Sequence, residues 1–230
     1  MDPKTALIVG VGTGLSASLA RLFAKKGLQV ALASRNPDRL AKLAEETAGV
    51  TFACETTEPE EVASLFDVVV ATIGAPDIVV YNASARARGP VTDLDPADVA
   101  RAIAVSGYGG FLVAQQAARL MVPRGSGTIL LTGASASVKG YPNSSSFAMG
   151  KFALRGLAQS LARELAPKGV HVAHFVIDGG IRSGARSDPN DNPDSTLDPD
   201  AIAETYWHVA TQPRSAWTWE VELRPWVERF

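Results

Sequence analysis

The chain reads as a single-domain, doubly wound α/β fold built on a parallel sheet, and three observations lead there. Its 230 residues, 46% of them hydrophobic and 20 of them glycine, suffice to bury a substantial core within one domain. Short apolar runs alternate with longer stretches of helical periodicity, the pattern of a parallel sheet covered on both faces. A glycine-rich turn, Gly10-Val11-Gly12-Thr13-Gly14-Leu15-Ser16, joins the first apolar run to the first helical one.

The apolar runs place strands at 6–9, 29–33, 51–54, 78–81, 128–132, 170–177 and 220–223. Between them the periodicity predicts helices at about 15–27, 37–48, 59–72, 96–121 and 145–166, with Lys26-Gly27 and Pro167-Lys168-Gly169 as stop signals. The fourth helix is long and holds Gly107, Gly109 and Gly110, so a bend or a close approach is expected there. No repeat is visible. Residues 183–199, with Asp188, Pro189, Asn190, Asp191, Asn192, Pro193 and Asp194, read as a mobile loop after the sixth strand and hence as a substrate lid.

Composition narrows the partners. A net charge of -2 from 22 basic and 24 acidic residues leaves no electrostatic footprint for nucleic acid or an anionic membrane. Met1-Asp2-Pro3-Lys4-Thr5 lacks the layout of a signal peptide, and no uncharged apolar run approaches a membrane span. One cysteine, Cys54, excludes an intrachain disulfide and fits a reducing compartment, so the cytoplasm is expected. His171 and His174, three apart on a strand, face opposite sides and make a poor metal pair; His208 stands alone, and no metal site is expected.

A glycine-rich turn between strand and helix brings backbone N–H groups and the positive helix end up to a pyrophosphate, and its place in the first βα unit of several strengthens that reading over a plain turn. At the end of the second strand, Ser34-Arg35 offers no carboxylate to an adenosine ribose, whereas an arginine can pair with a 2′-phosphate. NADP(H) is therefore expected over NAD(H), against the alternative of a solvated arginine.

Residues 5–180 resemble the short-chain dehydrogenase/reductase family in the order and spacing of their motifs. That family's T-G-x-x-x-G-x-G loop falls on Val9, Gly10, Gly14 and Ser16, its N-N-A-G on Tyr81-Asn82-Ala83-Ser84, and its Y-x-x-x-K on Phe147 and Lys151. Its P-G segment is similar to Asp178-Gly179-Gly180-Ile181-Arg182-Ser183, with Ser183 where a threonine often contacts the cofactor. The resemblance implies a Rossmann-type fold, hydride transfer between a nicotinamide and a small carbonyl or alcohol, and cofactor contacts at Gly10, Gly12, Thr13, Gly14, Leu15, Ser34, Arg35, Asn82, Ala83, Lys151, Ile181 and Ser183. The catalytic positions depart from it. Phenylalanine stands at the tyrosine position, Ala134 at the serine position with Ser135 beside it, and Ser106 at the asparagine position. Phenylalanine has no proton to trade, so the resemblance implies either a reductase with a modified mechanism, or a cofactor-binding protein without redox turnover, or non-redox chemistry in the same pocket. Of the two roles Lys151 would take, holding the nicotinamide ribose and tuning a phenol, only the first survives.

Tyr141 could border the pocket or be an ordinary loop tyrosine. Arg86, Arg88, Arg182 and Arg186 could clamp an anionic substrate or stand solvated in loops. Trp207, Trp217, Trp219 and Trp226 could floor a pocket, meet a partner subunit or fill the core. The helix at 145–166 carries more apolar surface than a one-sided helix needs, in Phe152, Leu154, Leu157, Leu161 and Leu165. The related family pairs this helix across two-fold axes, so a homodimer or homotetramer is expected.

Overall fold

The computed structural model describes residues 4–183, 186–189 and 192–227. Its strands are β1 (Thr5–Val9), β2 (Gln29–Ser34), β3 (Val50–Ala53), β4 (Ile78–Tyr81), β5 (Gly127–Thr132), β6 (Val170–Ile177) and β7 (Glu220–Leu223). They form one sheet in the order β3-β2-β1-β4-β5-β6-β7, parallel throughout. The helices are α1 (Leu15–Lys25), α2 (Ala41–Thr47), α3 (Pro59–Ile73), α4 (Pro96–Ile103), α5 (Gly109–Arg124), α6 (Ser145–Leu165) and α7 (Pro199–Ala210).

Successive residues of a strand point to opposite faces, so each sheet face needs its own cover. Ala6, Ile8, Ile78, Val80 and Phe175 pack with α1 and α7 through Leu19, Phe23, Ile202 and Tyr206. Leu7, Val9, Val79 and Tyr81 pack on the other face with Val62, Phe66, Val113 and Leu154 from α3, α5 and α6. Reversal of strand order occurs at β1 and β4, and the carboxyl ends of these two strands therefore open a crevice between them.

Three expectations need correction. The predicted helix at 96–121 is two helices, α4 and α5, joined by a wide π turn at Ala104–Tyr108. The cause is tertiary. A Cβ on Gly110 would stand 2.4 Å from Leu154 Cδ1 and one on Gly109 2.5 Å from the Tyr81 hydroxyl, so the backbone packs directly on β4 and α6. Residues 37–48 begin as a 3-10 turn, Pro37–Leu40, before α2. Finally, α7 is absent from the predicted helices although its signals are present: Asp198 accepts a hydrogen bond from Asp200 N at 2.8 Å, Pro199 holds the first helical position, and Ile202, Ala203, Tyr206 and Val209 form the buried stripe.

Of the expected lid, Gly184, Ala185, Asn190 and Asp191 lie outside the described residues. Its described part holds several internal ties. Asp188 Oδ1 accepts from Thr196 N at 2.7 Å and Thr196 Oγ1 at 2.6 Å, and Arg182 pairs with Asp188 at 3.2 Å. Among the described residues no helix is long and apolar enough to cross a membrane.

Candidate active site

The turn after β1 is shaped for close approach. Gly10 has φ 87, and a Cβ on it would lie 2.3 Å from Ala83 N, so glycine alone fits between the ends of β1 and β4. At Gly12 and Gly14 nothing lies within 4 Å of an added Cβ, which leaves the backbone bare to the crevice. Helix α1 has Gly14 as N-cap, with no side-chain cap and no acid in its first turn. Among the described residues the N–H groups of Gly12 through Leu15 have no partner. Unsatisfied donors at the positive end of a helix, facing open space, make a cradle for an anionic ligand. Asn82 Nδ2 donates to Ser16 Oγ at 2.6 Å, and Ser16 Oγ donates to Gly10 O at 3.1 Å, which fixes the turn against β4.

From that turn a cavity of about 720 Å³ runs past Ser34, Arg35 and Arg39 on one side and Asn82, Ala83 and Arg86 on the other. Ser34 Oγ is buried there without a partner among the described residues. Arg35 lies 4.0 Å from Glu55, at the limit of an ion pair, with a side chain 64% exposed. Arg39, which sequence reading missed, follows Arg35 by four residues and lines the same cavity. Ile181 and Ser183 close the opposite flank, bordering a smaller cleft with Gly10, Gly12, Gly14, Leu15 and Asn82. The bare turn, the orphaned hydroxyl and the elongated cleft fit a nicotinamide dinucleotide, with Thr13 on the cleft wall.

Beyond Arg86 lies the second half of the site. Phe147 and Lys151, one helical turn apart on α6, point toward the ends of β5 and β6, and Lys151 is 2% exposed. Its Nζ donates to Thr132 O at 2.7 Å and stands 5.8 Å from the Phe147 ring centre. Burial, reinforced by the nearby Arg86 charge, lowers the Lys151 pKa to about 7. Arg86 stacks its guanidinium carbon 3.7 Å from the Phe147 ring centre. Ala134, Ser135 and Tyr141 line the same cavity, so the loop tyrosine does border the pocket. Burial pushes the Asp178 carboxyl up, but hydrogen bonds from the Ser135 hydroxyl and from Lys139, with the Lys139 charge, hold it below the usual range.

Other candidates point elsewhere. Ser106 is fully buried, and its Oγ meets Ala85 N at 3.4 Å and Ala85 O at 3.5 Å, tying the segment after β4 to the π turn. Arg182 is neutralised by Asp188 and Asp198. None of the tryptophans floors these cavities: Trp207 packs on Phe23, Trp217 stacks on His171, Trp219 lies near Arg155, and Trp226 is 81% exposed. His174 Nδ1 meets Glu220 at 3.1 Å, and Glu220 in turn holds Arg155 through two bonds of 2.6 and 2.8 Å. Burial lowers the His174 pKa to about 4.

A doubly wound parallel sheet with a bare glycine turn at its switch point defines a dinucleotide-binding α/β protein. The chain belongs to the short chain dehydrogenase family, whose sequence profile matches residues 4–193. It is 29% identical over 231 residues to an uncharacterised oxidoreductase of Staphylococcus aureus (strain N315), 98% of each chain being covered. A short-chain dehydrogenase from Rhodopseudomonas palustris superposes with a TM-score of 0.85 at 32% identity, covering 97% of this chain and 99% of that one. A metagenomic short-chain oxidoreductase, solved in complex with NADP, does so at 0.84 and 26% identity, covering 96% and 97%. The fold and family are thus those of oxidoreductases that use nicotinamide cofactors.

Proposed function

We propose that this protein transfers a hydride between NADP(H) and a small carbonyl or alcohol, by a mechanism in which Phe147 stands at the family's tyrosine position. The observation that carries the reading is the adjacency of the two cavities: Arg86 stands in the wall of both the nucleotide cleft and the Phe147 cavity, and Lys151 is buried on the same helix as Phe147. Bound NADPH would supply the hydride for the carbonyl carbon and leave as NADP⁺. The residues do the rest. The turn from Gly10 to Leu15 binds the pyrophosphate through its free N–H groups, and Arg35 and Arg39 bind the 2′-phosphate. Lys151 holds the proton that passes to the carbonyl oxygen, because Phe147 has none. Ala134 leaves no hydroxyl at its position. The tied segment that follows β6, within 183–199, serves as the cover of the pocket.

A second reading has its own support. The Ser106 hydroxyl, at the asparagine position, is engaged within the chain by Ala85, and Ala134 and Phe147 carry no hydroxyl, as befits a cofactor-binding protein without turnover. Absorbance of NADPH at the nicotinamide band, followed across a panel of aldehydes and ketones, separates the two. Consumption coupled to alcohol formation supports the reductase; tight NADPH binding with no consumption supports the other.

Cofactor choice gives a direct test. Arg35→Ala is expected to weaken NADP(H) by about tenfold or more, the worth of a charge-assisted phosphate contact, and to leave NAD(H) unchanged. Calorimetric titration with both dinucleotides reads this. Equal or tighter NAD(H) binding by the unaltered protein would remove the NADP assignment.

Assembly is the next expectation. On α5 and α6 an apolar surface faces outward: Phe111 is 40%, Phe152 45% and Met149 53% exposed, with Tyr108 stacked on Phe111 at 6.3 Å. Leu154 and Ala158 on the same helix are buried, so the outward set is surplus to the core. Sedimentation is expected to show a homodimer or homotetramer at micromolar concentration, and Phe111→Asp with Phe152→Asp to yield monomers. A stable monomer before mutation would sink the idea.

A further inference from the structure

The cavity in front of Phe147, about 440 Å³, is walled by the guanidinium-bearing Arg86, Arg88 and Arg186 and by no acidic residue among those described. Arg86 and Arg88 come from the segment after β4, Arg186 from the segment after β6, so two loops distant in sequence converge on one concavity. Among the described residues none of the three side chains has a hydrogen bond or an ion pair. Neighbouring arginines are treated differently by the same fold: Arg182 is held by Asp188 and Asp198, and Arg155 by Glu220. Gathering like charges without a counter-charge is unfavourable. Burial and then the charges of Arg88 and Arg186 make Arg86 hold its proton less tightly than usual. Stacking on Phe147 at 3.7 Å orients the Arg86 plane. A guanidinium held this way presents its N–H edge to a planar oxyanion.

We infer that the cavity takes the oxyanionic end of the substrate, a carboxylate or a phosphate borne by a small carbonyl compound, with Arg86, Arg88 and Arg186 as its binding groups. The reacting carbonyl then lies on the Lys151 side of the Phe147 ring. This deepens the reductase reading and rests on it for the identity of the reacting group, but the anion site itself does not depend on turnover. In the reaction the carbonyl carbon gains the hydride of NADPH and its oxygen the proton, giving the hydroxy acid or hydroxy phosphate and NADP⁺. The anionic group is unchanged throughout.

The experiment uses the whole protein saturated with NADP⁺, which cannot donate a hydride, so binding is read apart from catalysis. Acetoacetate, 2-oxobutyrate and levulinate are titrated calorimetrically, each beside its methyl ester, and dihydroxyacetone phosphate beside dihydroxyacetone. At least one acid or phosphate is expected to bind about tenfold or more tightly than its neutral partner, with the gap closing as salt rises. Which arm responds tells carboxylate from phosphate. Arg88→Ala is expected to weaken the anion about tenfold while leaving the neutral partner and NADP⁺ unchanged; Arg86→Ala is expected to weaken the anion by at least as much, and Arg86→Lys to recover part of that loss. Equal affinity for anion and neutral partner in every pair overturns the inference, as does an anion preference untouched by both arginine substitutions. The same pairs are then offered with NADPH. Arginine-dependent anion binding without any turnover upholds the site and counts against the reductase reading. Reduction of neutral ketones, with no preference for anions in binding or rate, upholds the reductase and overturns the site.

Discussion

Phe147→Tyr is expected to raise carbonyl reduction, and together with Ala134→Ser to do so by up to about 10²–10⁴, the worth of one positioned general acid. The new hydroxyl would stand at the end of a ring that already carries the Arg86 guanidinium 3.7 Å from its centre and Lys151 Nζ at 5.8 Å. Two cations near a phenol stabilise its phenolate and bring its pKa toward neutrality, which is what proton exchange with a carbonyl oxygen requires. Serine at 134 adds a second donor on the cavity wall. NADPH oxidation by the unaltered protein and both variants, over pH 6–9 and with cofactor affinity checked separately, gives the answer. An efficient unaltered enzyme that Phe147→Tyr slows would mean that the built-in donor is the better one. If all variants bind NADPH and none turns over, carbonyl reduction is not the task of this pocket.

Lys151 should leave two signatures of opposite sign. With its pKa lowered to about 7, it carries its proton below that pH and loses it above. If that proton goes to the substrate, kcat/KM for reduction is level in mildly acidic solution and falls about tenfold per pH unit on the alkaline side of neutrality. Lys151→Met is expected to cost about 10²–10⁴ in rate and to flatten the profile. Arg86 and His174 face Lys151, and neither interferes: the guanidinium remains charged, and His174, lowered to about 4 by burial, is neutral across the range.

Stability moves the other way. In the unfolded chain the lysine titrates near its ordinary 10.5, so between about 7 and 10.5 the unfolded state binds the extra proton and stability rises with pH. Below about 7 both states are protonated and the penalty of the buried ammonium is fully present. Lys151→Met should therefore raise the melting temperature more at pH 6 than at pH 10. A substitution that stabilises the fold while removing activity marks a group kept for chemistry. Loss of both together would mark Lys151 as a structural tie to Thr132.

The two halves of the site differ in how local their causes are. The sheet, its order of alternation with helices and the turn at Gly10 to Leu15 follow from apolar periodicity and from glycines at a strand–helix junction, and these are written in contiguous residues. Lys151 was also legible, because its spacing from position 147 on one helical face is a local fact. Arg35 could be read from the end of β2, while Arg39 escaped because the 3-10 turn that brings it back to the same cavity leaves no periodic mark. The break between α4 and α5 was only half visible: the glycines announced it, but Tyr81 and Leu154 decide it by demanding that the backbone come close. Helix α7 had a cap, a proline and an apolar stripe, and was obscured by the polar run before it.

What the sequence by itself determined is thus the doubly wound scaffold, the bare glycine turn at its switch point and the phenylalanine that stands one helical turn from Lys151. Only the tertiary structure decided that Lys151 is buried, that Ser106 spends its hydroxyl on Ala85, and that Arg86, Arg88 and Arg186 meet while Arg182 is neutralised. Burial, partner choice and the convergence of charges are properties of residues far apart along the chain, and no local pattern encodes them. They arise when the carboxyl ends of β4, β5 and β6 bring their following segments together around one crevice.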